Sequence, residues 1–447
     1  MRVHKLESIS FVLSLLLVVT AAGCGNNNNG GSSVSPNTVA TGSSGVAVDG
    51  SRNLALVAMG SLSGTSGNGV VAVINVGVDP NKKNPDVDMV DLGHADYPSG
   101  VAVDPANGRV YVVSGNNGHG GFLDIISDTK KKLLTAGAPI AFPAGSDTGR
   151  LGQIVLDRKN GTAIASTTDA STCPSAGTCT GFSVFDVASK TFGPIIQATP
   201  GTTDTNGADA FALNPKTGVI IAPDDDLDPP LVATNVAAQA SCTLSDTNIN
   251  SQSDSDASSF DPDTNIVVVG DYSGNNAVVV NLNGSAFSGT APGCTLDEGG
   301  TPPNSVSVAV TVADPGVAVN PATHQAFLTG EGSADIALVS LPKKAVTQID
   351  SSMVSAVTST LPNTPDGNPF EAEAYPYYTT VDVQHNRGYI VDRYSGFQWL
   401  AQVDLKAFQK NPSGISTALP AGTCAGTSTT LGCDNQNGVR YFVLPTP

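Results

Sequence analysis

Asp209, Asp224, Asp256, Asp271, Asp314, Glu331 and Asp392 are the residues most able to do chemistry in this chain. Each falls just before the first strand-like stretch of a repeated phrase or just after the second. Asp169, Asp225, Asp226, Glu371 and Glu373 take similar places, and Asn116 and Asn117 do so in the second repeat. Clustered carboxylates, helped by Asn side chains and main-chain carbonyls, are hard oxygen ligands of the kind Ca²⁺ takes. These acids are therefore the candidate metal set. PDDDLDPP (223–230) is the densest stretch, but it lacks the DxDxDG spacing of a calcium loop. The plainer alternative, acids that cap loops on an acidic chain, stays open.

Other chemistry has little to stand on. The chain has no GxSxG, HExxH, P-loop or dinucleotide fingerprint. His94 with Asp96, and His119 in GNNGHGG, are the histidines placed for acid–base work. His324 and His385 follow first strands and are expected in solvated turns on the opposite face. Tyr375, Tyr377 and Tyr378, with Arg393 and Tyr394, form an aromatic group that would hold a sugar or peptide, or pack the last repeat. A CxxCH haem site is absent, which argues against a redox role. No catalytic residue is assigned.

The elements that must position these residues are repeats. GVAVDGSRNLALVA starts at Gly45, GVAVDPANGRVYVVSG at Gly100, GQIVLDRKNGTAIAST at Gly152 and AFALNPKTGVIIAPD at Ala210. SSFDPDTNIVVVGD follows at Ser258, GVAVNPATHQAFLTGE at Gly316 and TTVDVQHNRGYIVDR at Thr379. Each reads as strand, tight turn, strand. The turn residue is placed at Asp49, Asp104, Asp157, Asn214, Asp261, Asn320 and Gln384, roughly 47 to 64 residues apart. A third strand recurs as VVAVINV, GFSVFDVASK, NAVVVNL, DIALVSL and WLAQVDL, with PLVATNV as the poor match of the fourth unit. Four strands per unit and seven units predict an all-β fold, a seven-bladed β-propeller of four-stranded antiparallel blades. The terminal GVRYFVLP is expected as the outer strand of the last blade or the first.

Pro98-Ser99-Gly100-Val101-Ala102-Val103-Asp104-Pro105 with Arg109-Val110-Tyr111-Val112, echoed by Asp314 to Pro321, resembles the YVTN family of β-propeller proteins. The pattern is close to that of lactonase-type seven-bladed propellers. The resemblance implies the fold. It also implies one enzymatic option, a gluconolactonase-type hydrolase with calcium at the channel mouth. The WD dipeptide is absent and Trp399 is the single tryptophan.

The chain opens with Arg2, His4 and Lys5, then FVLSLLLVV, then Thr20-Ala21-Ala22-Gly23-Cys24. The apolar run is short for a bilayer span and reads as a signal peptide over residues 1–23. Its end resembles the lipobox of bacterial lipoproteins, which implies that Cys24 is lipidated. An Asn/Gly/Ser tether over 24–43 leads to the propeller over 44–447. Six cysteines remain: Cys173, Cys179, Cys242, Cys294, Cys424 and Cys433. An even number in an exported chain points to disulfides. Proximity pairs Cys173 with Cys179 and Cys424 with Cys433, leaving Cys242 with Cys294.

With 39 Asp and Glu against 21 Lys and Arg, the net charge is −18. That argues against a nucleic-acid partner, which needs a basic face. The expectation is a monomeric domain anchored in the bacterial cell envelope, at the outer membrane or cell surface. It would bind an envelope protein or polysaccharide without catalysis. The alternative is the lactonase-type hydrolase.

Overall fold

A computed structural model describes residues 43–444 except for connecting segments, the longest being 170–178, 198–210, 249–256, 284–303 and 420–431. The chain divides between Thr38 and Val39. All that follows concerns the part after that point, so Cys24 lies outside the described residues.

The strands form seven antiparallel sheets. The first holds β1 (Ser43–Asp49), β2 (Leu54–Ser61), β3 (Gly69–Asn75) and β4 (Val87–Asp91). The second holds β5 (Tyr97–Asp104), β6 (Arg109–Gly115), β7 (Phe122–Thr129), β8 (Lys132–Ala136) and β9 (Ile140–Ala141). The third holds β10 (Ser146–Asp147), β11 (Ile154–Asp157), β12 (Thr162–Asp169), β13 (Cys179–Asp186) and β14 (Thr191–Gln197). The fourth is β15 (Ala212–Asn214), β16 (Val219–Pro223), β17 (Leu231–Asn235) and β18 (Ala240–Thr243). The fifth is β19 (Ala257–Asp261), β20 (Ile266–Gly270), β21 (Asn276–Asn281) and β22 (Ser305–Ala309). The sixth is β23 (Pro315–Asn320), β24 (Gln325–Gly330), β25 (Asp335–Ser340) and β26 (Ser355–Thr360). The seventh holds β27 (Thr379–Asp382), β28 (Arg387–Val391), β29 (Trp399–Asp404), β30 (Gly432–Asp434) and β31 (Val439–Val443). Two short helices, α1 (Leu405–Lys410) and α2 (Pro412–Ile415), follow β29.

The fold is a β-propeller. The first strands touch in sequence, β1, β5, β11, β15, β19, β23 and β27, and β27 returns to β1. Second and third strands are covered on both faces by the neighbouring sheets. That is why β20 (IVVVG) and β24 (QAFLTG) are buried at every position, and why their sequences run apolar without alternating. Fourth strands lie at the rim and alternate with exposed residues, as in β26 and β14. Each buried Val or Leu contributes about 1.5–3 kcal/mol.

The expected four strands are exceeded in three sheets, for local reasons. β10 and β11 pair with opposite ends of β12, so one first strand is split in two. β8 and β9 divide the length of β7 in the same way. β30 adds outside β31. The terminal strand resolves as β31, the fourth strand of the seventh sheet. Among the described residues no strand is exchanged between the last sheet and the first. Their seam is apolar instead, with Tyr389, Val391 and Leu400 in one cluster with Val46, Ala55 and Val57.

The hairpin between first and second strands is the same in all seven sheets. Its first residue is Asp49, Asp104, Asp157, Asn214, Asp261, Asn320 or Asp382, and each is nearly inaccessible. Its fifth residue takes left-handed backbone angles, at Asn53, Gly108, Gly161, Gly218, Asn265, His324 and Asn386. The buried oxygen accepts main-chain N–H bonds across the turn, as from Lys159 (3.1 Å) and Asn160 (3.2 Å) to Asp157, or from Ala322 (3.0 Å) to Asn320. This is the Asx-turn chemistry that favours Asp and Asn here. In the seventh repeat the position is held by Asp382, which accepts from Gln384 and His385. Gln384 is exposed, which corrects the expectation for that turn.

The same turns tie neighbouring sheets together. Asn214 Nδ2 donates to Asn265 Oδ1 (2.7 Å), and Asn320 Nδ2 to Asn386 Oδ1 (2.7 Å). His324 Nδ1 lies 2.7 Å from Asp261 Oδ2. In each case the left-handed residue of one sheet reaches the buried Asx of the sheet before it. Where that residue is glycine, another side chain substitutes: Arg158 Nη2 donates to Val103 O (2.9 Å) and Lys159 Nζ to Lys216 O (3.2 Å). At the closing seam, a Cβ on Gly50 would overlap the Asp382 carboxylate.

Asn320→Ala removes both the turn cap and the seam bond, and should cost about 1–3 kcal/mol. Asn386→Gly keeps the backbone angle and loses only the seam bond, so it should cost about 1 kcal/mol. Both are read as shifts of the urea midpoint at constant slope.

Candidate functional site

A first strand runs from the channel mouth to its hairpin, so the propeller has a mouth end and a hairpin end. Of the candidate metal set, Asp209, Asp224, Asp256, Asp271, Asp314 and Glu331 lie outside the described residues. Asp392 is described. It follows β28 and is 1% exposed. Its Oδ1 accepts the Glu371 N–H (3.3 Å) and its N–H donates to Trp399 O (2.8 Å). Ala372 bridges to it, so Asp392 fastens the incoming segment to the end of β28.

The other described acids at this end are also engaged. Asp91 Oδ1 accepts from Asn68 (3.0 Å) and from the Gly93 N–H (2.7 Å). Asp335 Oδ1 accepts from Thr360 (2.7 Å). Asp366 accepts from Thr364 and from Asn368 (3.0 Å). Among the described residues no three His, Cys, Asp or Glu converge as a metal cluster. His94 is half-buried and its carbonyl accepts the Gly69 N–H (2.9 Å). Asp96, His119, Asn116, Asn117, Glu373, Arg393 and the aromatic group at 375–378 and 394 lie outside the described residues.

The hairpin end carries both signs, with Asp49, Asp104, Asp157, Asp186, Asp261, Asp263, Asp350, Asp382 and Asp404 in or beside its turns. Every described lysine and arginine sits there, in or next to a hairpin turn, from Arg52 to Arg440. The mouth end shows none among the described residues. Several of these cations pair locally: Arg52 with Asp49, and Lys216 with Asp263 at 2.6 Å. The hydrogen bond from Lys216 holds the Asp263 carboxyl below its usual range. Two histidines expected in solvent are bound here instead. His324 meets Asp261 as described above, and His385 Nδ1 lies 2.7 Å from Asp382 Oδ2. The signal was present in the sequence: aligning the repeats on the buried Asx puts His324 beside Asn53, Asn265 and Asn386.

Of the candidate cysteines, Cys173, Cys294 and Cys424 fall outside the described residues, as do the side chains of Cys179 on β13 and Cys433 on β30. Cys242 is buried on β18.

No family model matches the chain, and no curated protein matches it. Solved structures do. Hydrazine synthase of Kuenenia stuttgartiensis matches at TM-score 0.51 and 11% identity, over 80% of this chain and 95% of that one. The WD40 domain of Toxoplasma gondii coronin matches at TM-score 0.49 and 11% identity, over 81% of each chain. A candidate 6-phosphogluconolactonase of Bacteroides fragilis matches at TM-score 0.47 and 10% identity, over 80% and 93%. At such identities the likeness is one of fold, the β-propeller, which hosts many unrelated functions.

Buried tyrosines give the propeller an alkaline limit. Burial pushes the Tyr389 hydroxyl up to about 12 and that of Tyr441 well above its usual range. A raised value favours the neutral phenol in the fold. Its stabilisation is complete below the unfolded value of about 10 and is lost as pH rises through the folded one. Urea unfolding at pH 9 and 11.5 should show the fall. Absorbance at 295 nm should show these phenols ionising only as the fold is lost.

Proposed function

We propose that this chain is an exported, lipid-anchored protein whose seven sheets are the blades of one propeller. It binds a partner of the cell envelope, protein or polysaccharide, without catalysis. Cys24 carries the lipid after removal of residues 1–23, and 24–43 is the tether. The observation that supports this best is that the described cations are confined to one end. All described cations lie at the hairpin end, while the described mouth end carries Asp91, Asp335, Asp366, Glu371 and Asp392 and no base. An end that carries acids and no base among the described residues would steer a cationic partner. A disulfide at the buried Cys242 would fit an oxidising compartment. Cys294 is its proposed partner, with Cys173–Cys179 and Cys424–Cys433 as local pairs.

The acidic mouth favours a second reading, a lactonase-type hydrolase holding Ca²⁺ through the candidate acids. Calorimetric titration of the full-length protein with Ca²⁺, beside a lactone panel with and without chelator, separates the two. The binding reading expects no turnover. Chelator-sensitive turnover, together with micromolar Ca²⁺ binding lost when Asp209, Asp256 and Asp271 become Asn, would replace it with the hydrolase. The anchor is checked by palmitate labelling, which Cys24→Ser should abolish while releasing the protein from the membrane fraction.

A further inference from the structure

β1 enters the propeller at the mouth end. Ser43 stands opposite Met59, and the strand then runs to the hairpin that Asp49 begins. The last described strand ends on the same side. Val443 of β31 stands opposite Trp399, whose carbonyl accepts the Asp392 N–H at the mouth. β1 is also an innermost strand, since the first strands touch one another around the ring and β27 returns to β1. The chain that comes from Cys24 therefore joins the propeller on its mouth face, beside the axis rather than at the rim.

Length decides what that attachment does. About 20 residues separate Cys24 from Ser43, and a Gly/Ser-rich chain of that length spans about 25 Å on average and about 70 Å when fully drawn out. To bring the hairpin turns to the lipid, the same chain would have to cross from β1 to the rim, three strand spacings or about 14 Å. It would then have to pass the depth of the propeller, which for the seven residues of β1 is about 24 Å. A detour of about 40 Å exceeds the average span before any of it reaches the membrane. With the mouth turned to the lipid no detour is needed. Charge does not reverse this preference. Asp91, Asp335, Asp366 and Glu371 at the mouth end are repelled by an anionic leaflet, but a gap of about 25 Å is several times the Debye length of about 8 Å.

We infer that the propeller hangs from the membrane by its channel mouth, with the hairpin turns facing away from the lipid. The inference rests on the lipid anchor proposed at Cys24. A partner drawn to the mouth end is then one held in or at the same membrane. A partner arriving from the other side meets the hairpin turns.

The single tryptophan of the chain supplies the test. Trp399 opens β29 at the mouth end and is 5% exposed. Val383, in the hairpin turn of the same sheet, is 44% exposed and accepts a larger side chain without repacking the core. The measurement is resonance energy transfer from tryptophan to a dansyl headgroup lipid. It uses the full-length acylated protein inserted from outside into phosphatidylcholine vesicles. Wild type is compared with Trp399→Phe/Val383→Trp. Transfer from Trp399 is expected to be at least about twofold more efficient, because a strand length of about 20 Å separates the two positions. Equal transfer, or stronger transfer in the double variant, overturns the inference. Val383→Trp alone keeps the test valid if the loss of Trp399 unfolds the protein. Its added donor should lower the average transfer efficiency, and an unchanged or raised average overturns the inference. Cys24→Ser distinguishes the two possible failures. Wild type that binds vesicles no better than Cys24→Ser refutes the anchor and the orientation with it. Anchored protein with equal transfer refutes the orientation alone.

Discussion

One buried oxygen per repeat holds this propeller in register. Asp49, Asp104, Asp157, Asn214, Asp261, Asn320 and Asp382 end the first strands and are almost wholly removed from water. A carboxylate or carboxamide so placed costs several kcal/mol unless it is hydrogen-bonded. The backbone of the following turn answers that demand, so the chain must reverse there and nowhere else. Once the turn is set, the second strand starts at a defined residue, and the pairing of the whole sheet follows. A slip of one residue would carry every apolar side chain to the wrong face.

The same residues do a second job between sheets. With a left-handed Asn or His in the fifth turn position, the side chain reaches the Asx of the preceding sheet. With glycine there, an Arg of the same turn or a Lys of the preceding sheet's turn takes over. The closing contact, from the seventh sheet to the first, has no exchanged strand among the described residues. It relies on apolar packing and on the space that Gly50 leaves for Asp382. Among the described residues the ring is thus closed by side chains.

The same turns set the charge distribution: the described cations stand on them together with the buried Asp residues that cap them. At the mouth end the described acids are tied into loops, with Asp392 the most buried of them. The two ends are therefore not variants of one surface.

The propeller was legible in the sequence because its elements are local. Val, Ile and Ala runs bounded by Asp-Pro, Asn-Gly or Asn-Pro turns identify hairpins from near neighbours alone. The Asx positions could be read for six of seven repeats. In the seventh, TTVDVQHN offers both Asp382 and Gln384, and only burial shows that Asp382 is the one enclosed. The split of β10 from β11 and the extra β30 also needed the fold, since they depend on which partner strand remains unpaired along its length. The histidines were misread for the same reason: His324 and His385 look solvated until a carboxylate is seen beside each, and for His324 that carboxylate belongs to another sheet. The grouping of Arg387, Asp404 and Arg440 was invisible in sequence, since only the pairing of β28, β29 and β31 makes them neighbours. Repeat identity, turn chemistry and net charge were properties of the sequence itself, because each depends on residues adjacent in the chain. Which charges share a face, and which polar groups lose their water, was decided by the tertiary structure, because only the closed ring brings distant turns together.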